Sequence, residues 1–133
     1  MEKEFVPYKL ALKMKTLGFD EPCFSWYASE NYGLEFGKVV KDNLIQDAVL
    51  APTFSQAFRW FRKNYKLYIQ VTNYPTSTNS ERTYFQVTSR ENVINNDSGE
   101  GKHTYISSWY DDYDKAELAC LEELIEIIES KSE

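Results

Sequence analysis

The stretch at positions 52–65 constrains the fold of this chain more than any other part of its sequence. Its apolar residues recur at helical spacing and form a wide stripe, made by Phe54, Ala57, Phe58, Phe61 and Tyr65. Thr53 precedes the stripe, and Gln56 follows three residues later, which is the spacing of a capping box at a helix start. The pattern therefore predicts an amphipathic helix in mid-chain, with its apolar side in a core.

A second helix is predicted near the beginning of the chain. Pro7 is favoured in a first helical turn, and Gly18 can adopt the left-handed conformation that ends a helix. Between them, Leu10, Met14 and Leu17 share one face at spacings of four and three residues. This spacing indicates a short helix with one buried side.

The last helix is predicted to begin near Asp112, a good N-cap residue, and to end at about Ser130. Its core-facing residues are expected to be Ala116, Cys120, Leu121, Leu124, Ile125, Ile127 and Ile128. An acidic surface is expected on the opposite side, in water, formed by Glu122, Glu123, Glu126 and Glu129.

Between the helices, aromatic and β-branched segments alternate with turn residues and predict antiparallel hairpins. The predicted strands cover 23–28, 34–39, 44–50, 67–72, 82–88 and 104–109, with polar loops at 73–80 and 92–102. The element order is helix, two or three strands, helix, three strands, helix. We therefore expect an α+β fold in which two hairpin-based groups, of five to six strands in all, pack against about three helices.

Composition limits the kind of protein further. At 133 residues with 42% apolar side chains, the chain is expected to form a single domain over 1–133. It has no apolar run long enough to span a bilayer and no signal-peptide pattern at its start, so we expect a cytoplasmic protein without membrane contact. Cys23 and Cys120 stand far apart in apolar segments and are interpreted as buried thiols.

The net charge of −6 is unevenly distributed along the chain. Residues 1–66 carry 10 basic and 8 acidic side chains, whereas residues 67–133 carry 5 basic and 13 acidic ones. The acidic half would repel phosphates, so general affinity for nucleic acid is disfavoured. A basic protein partner fits this charge better.

Residues able to catalyse a reaction are scarce. His103 is the only histidine, and the five glycines form no phosphate-binding loop. Asp111, Asp112, Asp114 and Glu117 could hold a magnesium or calcium ion, but acidic residues also collect at helix starts to cap them. The segment 95–101 resembles a calcium loop only superficially, since Ile106 stands where the loop needs a glutamate. We therefore predict no enzyme, no catalytic residue, no metal and no cofactor.

A basic cluster on the middle helix is the predicted binding site, and it comprises Arg59, Trp60, Arg62, Lys63 and Lys66. An aromatic ring among cations can stack bases and contact phosphates, or act as a hot spot for a protein partner. The simpler interpretation is a solvated helix side with Trp60 partly buried. Strand aromatics are interpreted as packing rather than as a ligand platform; these are Phe24, Trp26, Tyr27, Tyr84, Tyr105 and Trp109.

Three segments, 7–22, 50–62 and 116–125, resemble short hypothetical proteins encoded by phages and prophages of the Bacteroidetes. Together they cover about a third of the chain. The resemblance implies a small mobile-element protein in a bacterial cytoplasm, and it carries over no catalytic residue.

These patterns together predict a small non-enzymatic binding protein. Its expected partner is a host or phage protein, such as a defence nuclease or its ribonucleoprotein complex, which it would inhibit in the manner of an anti-CRISPR protein. The alternative is an RNA- or single-stranded nucleic-acid-binding module that uses the helix at 54–66. A homodimer is also open, because exposed strand edges can pair between copies.

Overall fold

The structure is a computed structural model that describes residues 2–30, 33–40, 48–75, 81–89 and 103–131. The chain divides into two compact units, Met1–Ala57 and Phe58–Glu133. Within the described residues there are three α-helices and two antiparallel sheets of three strands each, so the predicted α+β class is confirmed. The single domain over 1–133 stays a prediction.

The first unit begins with a short 3-10 helix, Glu2–Glu4, followed by α1, Tyr8–Thr16. Pro7 occupies the N-cap position of α1 in extended backbone geometry. Leu10 and Met14 are buried, as the apolar face predicts. After the helix, Gly18 has a φ of 104°, a value that side chains with a Cβ rarely adopt, so a glycine is required at this turn.

The sheet of the first unit has the order β2-β1-β3. Its strands are β1 Cys23–Tyr27, β2 Leu34–Val40 and β3 Val49–Leu50, and all pairings are antiparallel. The predicted first hairpin is thus confirmed. Of the strand predicted over 44–50, only Val49–Leu50 is seen, and residues 44–47 lie outside the described residues.

The middle helix, α2, spans Phe54–Tyr65 and begins as its capping pattern predicts. The backbone N–H of Gln56 donates to the Thr53 hydroxyl at 3.1 Å. The reciprocal half of a capping box is replaced by a longer connection, because the Gln56 amide donates to the carbonyl of Pro22 at 2.9 Å. Gln56 therefore anchors the start of α2 to the chain just before β1.

The second unit contains β4 Tyr68–Pro75, β5 Glu81–Ser89, β6 His103–Ile106 and α3 Tyr113–Lys131. Its antiparallel sheet has the order β4-β5-β6, with Val87 facing Ile69 on one side and Tyr105 on the other.

Two predicted boundaries in this unit are wrong. β4 continues through Pro75 into the predicted loop at 73–80, of which residues 76–80 lie outside the described part. β6 ends at Ile106 rather than at Trp109, although an isolated bridge between Thr83 and Tyr110 extends the pairing. The predicted loop at 92–102 also falls outside the described residues.

The core of the second unit lies between α3 and one face of this sheet. Along β5 every second residue is buried, namely Thr83, Phe85, Val87 and Ser89. All seven predicted core residues of α3 are buried, and α3 packs mainly on β5. Every second residue of β5 and the apolar stripe of α3, which recurs about every 3.6 residues, meet on this face. The helix therefore covers one side of the sheet.

Asp112 should stabilise the start of α3. Its carboxylate accepts the N–H of Lys115 at 2.8 Å, as an N-cap does. Asp112→Ala is expected to lower the free energy of unfolding by about 1 kcal/mol, measured by urea denaturation. Asp111→Ala is the matched control, since Asp111 is 94% exposed and its 3.8 Å pairing with Lys115 contributes little. Equal losses in the two variants would contradict the capping role.

Candidate functional site

The sheet face that points away from α3 carries aromatic side chains in solvent. Tyr74 is 51% exposed, Trp109 is 52% exposed and Ile106 is 62% exposed. Tyr84, between two buried residues of β5, points to the same side and is half-buried. We call Tyr74, Tyr84, Ile106 and Trp109 the aromatic face.

The three rings of the aromatic face contact each other in one cluster. Tyr74 and Tyr84 are stacked, with centroids 6.1 Å apart and planes at 11°. Trp109 meets both edge-on, at 5.7 Å from Tyr74 and 5.2 Å from Tyr84. Such packing restrains the rings before any ligand arrives, which lowers the entropic cost of binding through them.

Hydrogen bonds made by the residues on both sides of Trp109 hold it over the sheet. The N–H of Ser107 donates to the carbonyl of Phe85 at 3.0 Å, and the N–H of Phe85 donates to the Ser107 hydroxyl at 2.9 Å. Tyr110 and Thr83 exchange two further bonds, at 2.7 and 3.0 Å. Trp109 is therefore fixed next to Tyr84 although it lies beyond the end of β6.

An open groove of about 450 Å³ lies on the aromatic face, lined by its four members and Ser107. Around it, the outward side chains of β4 and β5 are uncharged except for the exposed Arg82, which faces Tyr74 across the ladder. None of these outward residues is acidic; they are Tyr68, Gln70, Thr72, Tyr74, Arg82, Tyr84, Gln86 and Thr88. The groove can take an apolar or aromatic group and offer amide and guanidinium donors beside it.

The sequence did not single out this face, because its strand aromatics are interpreted as packing. Cross-strand packing is present for Tyr84 and Trp109, whose ring centroids lie 5.2 Å apart, but the sequence does not show that Trp109 stays exposed. Tyr105 does stack on Phe85, with centroids 5.8 Å apart. Trp109 is exposed, and so is Phe24, which lies 65% exposed in the irregular part of the β1–β2 pairing. The signal that could have revealed the site is the alternation of side chains along β5. Thr83 and Phe85 are buried, so Tyr84 between them must point to the opposite face of the sheet.

The predicted basic cluster is only partly available to a ligand. Arg59, Arg62, Lys63 and Lys66 are exposed, and Lys66 follows the helix with a φ of 57°. Trp60, in contrast, is 5% exposed and meets Phe61 and Tyr65 edge-on at 5.0 and 5.4 Å. This burial agrees with the simpler interpretation, a solvated helix side with Trp60 partly buried, so Trp60 is not an exposed stacking ring. Binding through the four exposed cations stays a prediction.

The predicted acidic surface is present on α3 with one exception. Glu122, Glu126 and Glu129 are exposed, whereas Glu123 is half-buried. Burial, and secondarily the neighbouring carboxylate of Glu126, raises the pKa of Glu123 above its ordinary value near 4.5. The ionised carboxylate of Glu123 is therefore less completely hydrated than those of the exposed glutamates.

Both cysteines are buried thiols, as predicted. Burial is the main cause that raises the pKa of Cys23 to about 12, and it raises the pKa of Cys120 further. The Cys23 thiol also donates to the carbonyl of Glu21 at 3.3 Å. At both positions burial therefore disfavours the thiolate, which is the nucleophilic form of cysteine.

The acidic segment before α3 is arranged as a helix start. Lys115 lies 3.8 Å from the carboxylate of Asp111 and 4.0 Å from that of Asp112. Across the described residues, no three side chains of histidine, cysteine, aspartate or glutamate are grouped so as to hold a metal ion. His103 is the first residue of β6 and pairs with Ser89, while the loop at 95–101 falls outside the described residues.

A second, smaller groove of about 290 Å³ lies in the first unit. It is lined by Ala11, Lys15, Gly18, Phe19, Asp20, Ala48 and Leu50. Its cation is already engaged, since the Lys15 ammonium donates to the carbonyl of Ala48 at 3.2 Å. The aromatic face is the stronger candidate because it combines exposure with fixed rings.

Comparison of the chain with protein-family models, with curated proteins and with solved structures finds no match in any of the three. No helix of the described part is long and apolar enough to cross a membrane.

Glu123 should make stability depend on pH in a defined direction. Because its pKa is raised in the folded state, its favourable contribution is present below the unfolded pKa near 4.5 and is lost as pH rises through the folded pKa. Glu123→Gln is therefore expected to be more stable than the parent at pH 7, with the difference vanishing below pH 4.5 in urea titrations. Glu122→Gln, at an exposed position, should show no such gain, and an equal gain in both variants would contradict the assignment.

Proposed function

We propose that this protein is a non-enzymatic binding protein that acts by occupying a partner protein through the aromatic face. The observation that carries the proposal is the exposed, mutually packed cluster of Tyr74, Tyr84 and Trp109. Exposed large apolar side chains that form a patch mark interaction sites more often than scattered ones do.

The residue types of this face are those that dominate protein interfaces. Tryptophan, tyrosine and arginine are enriched among hot-spot residues, and here Trp109, two tyrosines and Arg82 lie on one sheet face. Their pre-packed rings lose little side-chain entropy on binding. A partner surface with an apolar centre would match the groove.

The negative charge of this chain favours a partner with basic residues near its apolar contact surface. The chain carries a net charge of −6, and Asp111, two residues after Trp109, is 94% exposed. Acidic side chains accelerate encounter with a basic surface and repel an acidic one. The preferred partner surface is thus apolar at its centre and basic on the side that meets Asp111.

A nuclease is the partner class that we favour within this description. Surfaces that bind nucleic acid are basic because they neutralise phosphates, so an acidic protein can occupy them in place of a substrate. The resemblance of 7–22, 50–62 and 116–125 to phage and prophage proteins supports a defence nuclease as the partner, since phages benefit when host defence is blocked. Inhibition would follow from covering the nuclease's substrate channel.

Direct binding of single-stranded nucleic acid is the second candidate. The observation in its favour is that Arg82 accompanies Tyr74 and Tyr84 on a sheet face, an arrangement on which bases can stack. The −8 charge of residues 67–133 opposes it, because phosphates would be repelled. The version that uses the helix at 54–66 loses its stacking ring, since Trp60 is buried.

The protein-binding proposal predicts that Trp109→Ala and Tyr74→Ala weaken partner binding by about tenfold or more while the fold is kept. The matched control is Phe24→Ala, which removes an even more exposed ring, 65% against 52% for Trp109, from the first unit. Proteins retained from a lysate of a Bacteroidetes host are compared among these variants, and the affinity of each purified candidate is then measured by calorimetry at two salt concentrations. A panel of purified defence nucleases is assayed for inhibition alongside.

Two results would contradict the proposal. One is a partner whose affinity falls with Phe24→Ala as much as with Trp109→Ala. The other is salt-sensitive binding of fluorescein-labelled oligo-dT or oligo-U that Tyr84→Ala removes, with no protein partner retained, which would establish the nucleic-acid alternative instead.

A further inference from the structure

We propose that a second copy of this chain pairs with the outer edge of β4, which joins two three-stranded sheets into one six-stranded antiparallel sheet. This inference concerns the outer edge of β4, which shares Tyr74 with the aromatic face, and it does not rest on the proposed function. Its grounds are the length and neutrality of the strand, the direction of its backbone groups and the self-complementarity of its side chains.

β4 is a long edge strand without the usual protection. It spans Tyr68–Pro75 and pairs with β5 in a continuous register, without a bulge. In the described part of the chain no strand pairs with its other side. The opposite edge strand, β6, has four residues to its eight. Proteins protect edges with charges, bulges, prolines or short strands, and β4 has only Pro75, at its end.

The pairing of β5 shows which backbone groups of β4 point outward. Thr83 and Phe85 exchange hydrogen bonds with Tyr110 and Ser107, on the β6 side. The alternate residues of β5 therefore direct their N–H and C=O groups toward β4, where they bond the residues directly opposite, such as Gln70 and Thr72. By the same alternation, Ile69 and Val71 direct their N–H and C=O groups to the outer edge.

A two-fold axis through Val71 fits these directions. The two copies of Val71 would then exchange two backbone hydrogen bonds across the seam. On the aromatic side of the sheet, Tyr68 would lie opposite Tyr74 of the second copy, and Gln70 opposite Thr72 of the second copy. Tyr68 and Tyr74 are 44% and 51% exposed, so each gains an aromatic cross-strand neighbour in a pair that forms twice.

Charge makes this edge the part of the surface where a second copy is least repelled. Each chain carries a net charge of −6, so two copies repel each other over most of their surface. β4 has no charged side chain in its sequence, Tyr-Ile-Gln-Val-Thr-Asn-Tyr-Pro. Pairing β4 with itself therefore places no like charges opposite each other, which is the condition that an antiparallel pair requires.

Sedimentation equilibrium of the full chain tests the proposal. The wild type is expected to approach twice the 15.6 kDa chain mass with rising concentration. Gln70→Glu combined with Thr72→Glu places carboxylates opposite each other at two points of the seam, and should weaken the dimer by about tenfold or more. Gln70→Glu combined with Thr72→Lys places opposite charges there, and should restore it.

The control is Gln86→Glu combined with Thr88→Glu on the central strand β5. It adds the same charge to the same sheet face away from the edge, and it should leave the dimer intact. Circular dichroism of every variant confirms that the fold is kept.

A cross-linking experiment tests the register on a nearly unchanged chain. Residues 70 and 72 of different copies would form non-hydrogen-bonded pairs, whose Cα atoms lie about 4.5 Å apart, within the range that a disulfide bridges. After mild oxidation, Gln70→Cys chains mixed with Thr72→Cys chains should form covalent dimers in greater yield than either variant alone. The buried Cys23 and Cys120 should not interfere.

A wild type that stays at 15.6 kDa over the whole concentration range would overturn the proposal. So would a dimer that the double glutamate variant leaves intact, or one in which opposite charges fail to restore what like charges remove. Loss of the dimer with partner binding retained would leave the proposed function standing, and loss of partner binding in Trp109→Ala with the dimer retained would leave this inference standing.

Discussion

The alternation of side chains along β5 is the constraint on which the second unit depends. Thr83, Phe85, Val87 and Ser89 point to α3 and are buried, so the residues between them must point the other way. A strand with one buried face cannot slip by one residue without exposing its core set. The same packing that stabilises the unit thus fixes Tyr84 on the outward side, where Tyr74 and Trp109 join it.

Helices and most strands were predictable because their signals are local. The stripe in α2, the cap at Asp112 and the glycine at position 18 each act within a few residues of the chain. Strand ends were less predictable because pairing partners decide them. Asn73 and Tyr74 belong to β4 since they face Thr83 and Arg82, which no local pattern around position 73 reveals.

The candidate site was harder to predict than the fold. Trp60 looks accessible beside arginines in sequence, yet its ring lies at the edge of the apolar stripe and packs on Phe61 and Tyr65. The aromatic face, in contrast, needs residues from three places, 74, 84 and 109, which only the register of β4 on β5 and the bridge at Tyr110 bring together. Composition showed that aromatic residues were abundant, but only the tertiary pairing shows which of them are left in solvent.

The solvent exposure of Trp109 tests most directly the claim that the packing of α3 on one sheet face leaves the other face available. The chain has three tryptophans, so two variants isolate one indole each: Trp26→Phe with Trp60→Phe retains Trp109, and Trp26→Phe with Trp109→Phe retains Trp60. Acrylamide quenching of tryptophan fluorescence is then measured in both. We expect red-shifted, readily quenched emission from Trp109 and blue-shifted, protected emission from Trp60, in line with exposures of 52% and 5%. Equal protection of the two indoles would mean that the aromatic face is covered within the chain itself, and would contradict the account.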